Sequence, residues 1–247
     1  MRAPLPTTNA TVADRLVRKL RKQIILGQLL PGEHLREVHL AEQFNVSRST
    51  LREVLRRLEG ESLIEMEPHK GARIASLDPT DAVEIYELHA LLEEYSIRKV
   101  ALPMPTGIRE YLSTIVEQMS ALCLPDDVDR FIDLDHEFHG TLMAAANQRQ
   151  IYRAWLGLKS LHSVLVGVAA RHGQSHPTVI AARHARIVVT LGQEDHGIAA
   201  AVVGHHYRSM ADQLRGLAQF GENSRASAVA AERGEDRQPE QKGGSGM

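Results

Sequence analysis

Residues 45–58 read NVSRSTLREVLRRL. At 3.6 residues per turn, Leu51, Val54, Leu55 and Leu58 recur at i, i+3, i+4 and i+7 and share one face. Arg48, Ser49, Arg52 and Arg56 point away from it. An ordinary amphipathic surface helix has the same pattern, so the flanks must discriminate.

Upstream, Val12, Leu16, Leu20 and Ile24 are spaced i, i+4 over a helix of residues 12–26, with Arg15, Arg18, Lys19 and Lys22 elsewhere around it and Gly27 as its stop. The turn LPGEHL leads into a short helix over residues 36–43, REVHLAEQ, with Leu40 and Ala41 inward. Asn45 tolerates the left-handed backbone of a tight interhelical turn, and the Ser47 hydroxyl can cap the helix that follows. Downstream, SLIEMEPHKGARIAS predicts two short strands around a PHKG reversal, with His69, Lys70 and Gly71 at the tip. Short helix, tight turn, second helix and basic hairpin follow the order of a winged helix-turn-helix. The leucine face then docks on its own small domain. Ser47, Arg48, Ser49, Thr50 and Arg52 enter a DNA major groove, assisted by Arg36, His69, Lys70 and Gly71. Arginine can fork onto guanine, and hydroxyls can hold phosphates or base edges.

The charge distribution divides in the same way. Residues 1–76 carry 13 Lys/Arg against 9 Asp/Glu, and the remainder carries 16 against 22. A modestly basic front on an acidic body assigns nucleic-acid contact to the front alone. Aromatic residues make up only 4% of the chain, which favours helices over sheets. The single cysteine, Cys123, excludes an internal disulfide framework and a cysteine-built zinc site. With no apolar run long enough to span a bilayer and no signal-peptide core, the expected compartment is the cytoplasm and no membrane partner is expected.

SLDPT at residues 76–80 reads as a linker, with Pro79 suited to the first turn of a helix. From there to residue 221 the pattern is helical, broken at residues 103–107, 124–127, 173–177 and 191–195, and it predicts an antiparallel bundle of about six helices. Residues 222–247 are polar and rich in Gly, Glu and Gln, and are expected to be disordered. The expected fold class is therefore mainly α: a winged helix-turn-helix over residues 1–76, then an all-α bundle over residues 77–221.

Nine of the 13 histidines lie between residues 136 and 206. Asp135 and His139 are spaced i, i+4 on a face shared with Phe131, Leu134, Phe138 and Leu142. His184 and His206 flank the LGQED turn at similar heights on an antiparallel pair, about 12 and 16 Å away at 1.5 Å per residue. One aspartate and three histidines from three helices form a set suited to a divalent metal. Spacing alone also allows hydrogen-bonded core histidines, and His205 is a one-residue rival to His206.

Residues 12–76 resemble the DNA-binding domain of the GntR family, through the pattern PGE, LAE, VSR, LRE, LRRLE and KG. Residues 78–220 resemble the FCD effector domain of its FadR-like subgroup, through Asp135-His136-Glu137-Phe138-His139 and through His184, Ile187, Asp195, Ala199 and His206. Mapped residue by residue, the resemblance places metal ligands at Asp135, His139, His184 and His206. Three positions depart from the family. Val38 stands where many members carry a DNA-holding arginine, Asn45 replaces a glycine, and His89 replaces an arginine associated with acidic effectors. His89, Arg130, Arg171 and His172 are then the substitutes to consider for that anchor.

The resulting expectation is a homodimeric, ligand-responsive transcription regulator, with repression as the commoner family behaviour. It binds a palindromic double-stranded operator and senses a small carboxylate at a divalent metal, zinc first, with nickel, cobalt and manganese as alternatives. Two rivals stand beside it: a metal-dependent enzyme and a purely structural metal. No Glu-x-x-His pair of the di-iron bundles, His-Asp dipeptide or Gly-x-Ser-x-Gly elbow supports the enzyme.

Overall fold

A computed structural model describes residues 11–67, 71–171, 173 and 176–235, with side chains to residue 215. In chain order the elements are α1 (Val12–Ile25), β1 (His34–Leu35), α2 (Glu37–Gln43), α3 (Arg48–Gly60), β2 (Ile64–Glu67), β3 (Gly71–Ile74), α4 (Pro79–Ile97), α5 (Thr106–Ser120), α6 (Val128–Ala145), α7 (Arg149–Arg171), α8 (Pro177–Leu191) and α9 (His196–Glu235). The fold is mainly helical, as the sequence predicts.

The front unit is built on α3. Leu51, Val54, Leu55 and Leu58 have no exposed surface and pack with Leu16, Leu20 and Ile24 of α1 and Leu40 and Ala41 of α2. On α1 the inward face is rotated from the one the spacing predicts: Val12 is half exposed, while Ala13 and Val17 are buried. Thr11 and Asp14 close a capping box at the start of α1, and Ser47 caps α3 by accepting from the Thr50 amide at 3.1 Å. Asn45, between α2 and α3, has φ of 48°, the left-handed conformation that asparagine tolerates.

The wing contains a strand the sequence did not disclose. β3 lies between β1 and β2, all antiparallel, with Leu35 opposite Ala72 and Ile64 opposite Ile74. His69 and Lys70 lie outside the described residues, so the predicted wing tip is represented by Gly71, which opens β3 at φ of 96°.

Helices α4–α9 form the bundle. Asp78 caps α4 through the amides of Thr80 and Asp81, and Pro79 takes the first helical position. The predicted breaks are present, and a fifth falls at Asn147, where φ of 51° ends α6 before α7. Phe131, Leu134, Phe138 and Leu142 of α6 are buried in the main core. α9 continues to Glu235. Residues 236–247 lie outside the described residues.

The two units touch through α7. Its Gly167 lies so close to the Ile25 carbonyl of α1 that a Cβ there would clash, and Ile25 packs within the bundle core. Among the described residues no helix is long and apolar enough to cross a membrane.

Candidate metal centre and DNA-reading surface

The buried face of the bundle brings Asp135, His139, His184 and His206 together, with one ligand atom of each within 4.8 Å of the others. Their relative exposures are 4%, 1%, 0% and 6%. Asp135 and His139 come from one face of α6, His184 from α8 and His206 from α9. His205 is exposed, which separates it from the buried His206.

Hydrogen bonding fixes how the imidazoles present themselves. His139 Nδ1 lies 2.7 Å from Glu93 Oε2. The other oxygen of Glu93 accepts from Trp155 Nε1 at 2.7 Å and from the Tyr207 hydroxyl at 2.6 Å. A carboxylate receiving those donors accepts from His139 as well, so Nδ1 is the protonated nitrogen. His184 Nδ1 lies 2.9 Å from the Ile180 carbonyl, an acceptor only, so it too carries its proton there. Both Nε2 lone pairs then turn inward, 3.2 Å from each other. Asp135 Oδ1 lies 3.2 Å from His184 Nε2 and 3.9 Å from His139 Nε2.

Three acceptors converging at such distances repel one another unless a proton or a metal cation lies among them. A tetrahedral ion with ligands at 2.0–2.1 Å places neighbouring ligand atoms about 3.3 Å apart, close to the two shortest separations here. Histidine whose far nitrogen donates to a carboxylate or a backbone carbonyl is the usual outer support of such ligands. Asp135 Oδ2 and His206 Nδ1 are buried with no hydrogen-bond partner among the described residues.

The same electrostatics also let a proton occupy this point. Burial opposes ionisation of Asp135, but the His184 bond and the neighbouring imidazoles hold its carboxyl well below the usual range. Burial also works against a charged His139, yet the Glu93 carboxylate and Asp135 outweigh it and raise its pKa. Burial and the other imidazoles push His206 well below the ordinary value.

Several participants escaped the sequence reading. Glu93, Trp155 and Tyr207 form the support behind His139, and His162 Nδ1 approaches Asp135 Oδ2 at 3.6 Å. The one signal for Glu93 was a carboxylate inside the otherwise apolar HALLE segment, four residues after His89. His89 is buried and stacks on Tyr207 with ring centroids 5.1 Å apart. Arg130 is exposed on α6 and bonds Gln118, and Arg171 lies at the end of α7 against α1, so neither is brought to the cluster. His172 lies outside the described residues.

The front unit presents its basic side chains outward. Arg36, Ser47, Arg48, Ser49 and Arg52 are exposed, and Thr50 is half-buried. An open groove of about 780 Å³ between α2, α3 and the wing is lined by Arg36, His39, Arg52, Arg56 and Gly71. Arg52 pairs with Glu37 at 2.9 Å, whereas the side chains of Arg36, Arg48 and Arg56 form no hydrogen bond or ion pair among the described residues. Arg57 is different: it is tied to Asp14 at 2.7 Å and to Glu53, which fastens α3 to α1.

Comparison with known proteins places both halves. Residues 12–74 match the bacterial regulatory proteins of the gntR family, and residues 84–209, which hold all four clustered residues, match the FCD domain. The gluconate operon transcriptional repressor of Bacillus licheniformis is 31% identical over 166 residues, covering 66% of this chain and 68% of that one. The probable D-xylose utilization operon transcriptional repressor of Paenarthrobacter nicotinovorans is 28% identical, covering 81% and 87%. A putative GntR transcriptional regulator from Rhodococcus sp. RHA1 shares the fold at a TM-score of 0.68 and 20% identity, over 83% of this chain and 97% of that one. The chain thus belongs to the GntR family of bacterial transcriptional regulators, with an FCD domain, rather than to an enzyme family.

Proposed function

We propose that this regulator is a dimeric repressor whose operator binding responds to a small oxygen-donor metabolite at a divalent metal held by Asp135, His139, His184 and His206. The observation that carries this reading is the convergence of His139 Nε2, His184 Nε2 and Asp135 Oδ1 on one buried point. When bound, a divalent cation supplies an electrophilic point that attracts carboxylate or hydroxyl oxygen. Zinc suits the ligand set first, with nickel, cobalt and manganese as alternatives. The repressor sign follows the relatives, and a small carboxylate is the effector class put forward. Cytoplasmic DNA is the proposed place of action.

For DNA, the unpaired Arg36 and Arg48, the exposed serines of α3, and Arg52 read one half-site. The wing with His69, Lys70 and Gly71 follows the backbone. For the dimer, Leu88, Leu91 and Tyr95 form an exposed apolar stripe on α4, at 45%, 59% and 50% exposure, suited to a second copy.

α7 offers the physical link between the two activities. Its His162 approaches Asp135, while its Ser160 donates at 2.7 Å to Glu61, the C-cap of α3, which Arg21 also grips at 2.7 and 2.5 Å. An effector that prefers one position of α7 therefore biases the placement of α3.

A second reading, a purely structural metal, is favoured by one observation: the cavity touching Asp135, His162 and His206 is only about 20 Å³, enough for about one water. The test selects a DNA site from random duplexes, then measures affinity for it with metal-loaded, chelated and metabolite-treated protein. Loss of the metabolite response on chelation supports sensing at the metal; an unchanged response with an intact fold supports the structural role.

A further inference from the structure

Where α7 meets the front unit there is a cleft of about 410 Å³, within the range of small-molecule sites and far larger than the cavity at the histidine cluster. Leu161, Val164 and Val168 of α7 face Ile24, Leu63 and Ile74 across it. Leu161, Val164, Val168 and Arg171 recur at i, i+3, i+7 and i+10, so an apolar stripe about 15 Å long ends in a guanidinium.

That guanidinium is set in place and has spare donors. Arg171 Nη1 donates to the Ile25 carbonyl at 2.5 Å, and the guanidinium lies over Gly27, where a Cβ would meet it at 2.9 to 3.1 Å. Gly27 is at φ of 65°, a left-handed conformation that glycine adopts without penalty. Arg171 makes no ion pair with a carboxylate among the described residues. Burial alone shifts its pKa, downward, with no acid to offset it. A planar fork with one of five N–H groups committed among the described residues, beside an apolar slot, matches a molecule with an apolar body and one carboxylate.

We infer that this interdomain cleft binds an apolar monocarboxylate, with the carboxylate on Arg171 and the apolar body between Leu161, Val164 and Val168 and the front unit. The site is separate from the proposed metal centre and does not depend on it. Because its two walls belong to the two units, an occupant sets their spacing directly.

The test uses the full chain with 4-phenylbutyrate as probe and 4-phenylbutanol as its uncharged counterpart, by isothermal titration. The carboxylate is expected to bind at least about tenfold more tightly than the alcohol, since a charge-assisted hydrogen bond is lost in the latter. Arg171→Gln is expected to remove that preference and leave alcohol affinity within about twofold. Val164→Trp, with folding checked by thermal melting, is expected to exclude both probes by filling the slot. Chelated protein is expected to bind as untreated protein does, which separates this site from the metal centre. Equal binding of acid and alcohol, an acid preference that survives Arg171→Gln, loss of binding on chelation, or no binding of the acid at 10-fold excess over millimolar protein (roughly the weakest range of interest) would each overturn the assignment.

Discussion

His139 Nδ1 lies 2.7 Å from Glu93 Oε2, two buried residues joined across α6 and α4 with Trp155 and Tyr207 closing the other side of the carboxylate. This pair orients the imidazole so that Nε2 faces His184 and Asp135. Glu93→Gln keeps the size but removes the charge that supports the ligand. Metal affinity is expected to fall about 10–100-fold, the usual cost of losing such outer support. Titration with a chromophoric chelator measures it; an unchanged affinity would mean that Glu93 only fills space.

Glu93→Ala has a different consequence. It leaves the indole N–H, the tyrosine hydroxyl and His139 Nδ1 without their shared acceptor in a buried setting. Each unpaired buried group costs about 1–3 kcal/mol, so the loss of stability is expected to exceed that of Glu93→Gln clearly. Denaturant melts of the two variants provide the comparison, and equal midpoints would contradict it.

Arg48→Ala removes an exposed guanidinium with no intramolecular partner among the described residues. If it makes a forked base contact, specific binding weakens by about 1–3 kcal/mol at fixed salt, with little change in thermal stability. Arg57→Ala is the control, because Arg57 holds α3 to Asp14 and Glu53, and stability rather than base preference is expected to change. Fluorescence anisotropy on matched and mismatched duplexes distinguishes the two. Loss of sequence preference in Arg57→Ala but not Arg48→Ala would place the reading surface elsewhere.

Much of this was legible because it is local. The leucine face of α3, the Ser47 cap and the left-handed Asn45 are properties of neighbouring residues, and the periodicity of residues 45–58 states them directly. The same holds for Asp135 and His139, one helical turn apart. β1 was not legible, since two residues cannot show an alternating pattern and His34–Leu35 gains its partner only from β3. The break at Asn147 carries neither Pro nor Gly to announce it. The support of His139 comes from residues 62 and 114 positions away from Glu93, a juxtaposition that only the packing of α4, α7 and α9 creates.

The bond from Ser160 to Glu61 gives a pH dependence with a definite sign. Burial opposes the Glu61 carboxylate, yet Arg21 and Ser160 hold its pKa below the ordinary value of 4.5. A group depressed in the folded state stabilises it fully above the unfolded value and loses that contribution as pH falls through the folded one. The chain is therefore expected to lose stability below about pH 4.5, and Glu61→Gln is expected to flatten that part of the melting-temperature curve. A variant curve parallel to the wild type through this range would show that the pair contributes nothing.

Asp135, His139, His184 and His206 are proposed to hold one divalent ion. The most direct measurement is elemental analysis of the full chain, purified without chelator, beside His184→Ala of confirmed fold. About one divalent metal per chain in the wild type, falling below about a tenth in the variant, is the predicted result. A folded wild type that carries no metal and takes up neither zinc nor nickel when they are supplied would contradict it.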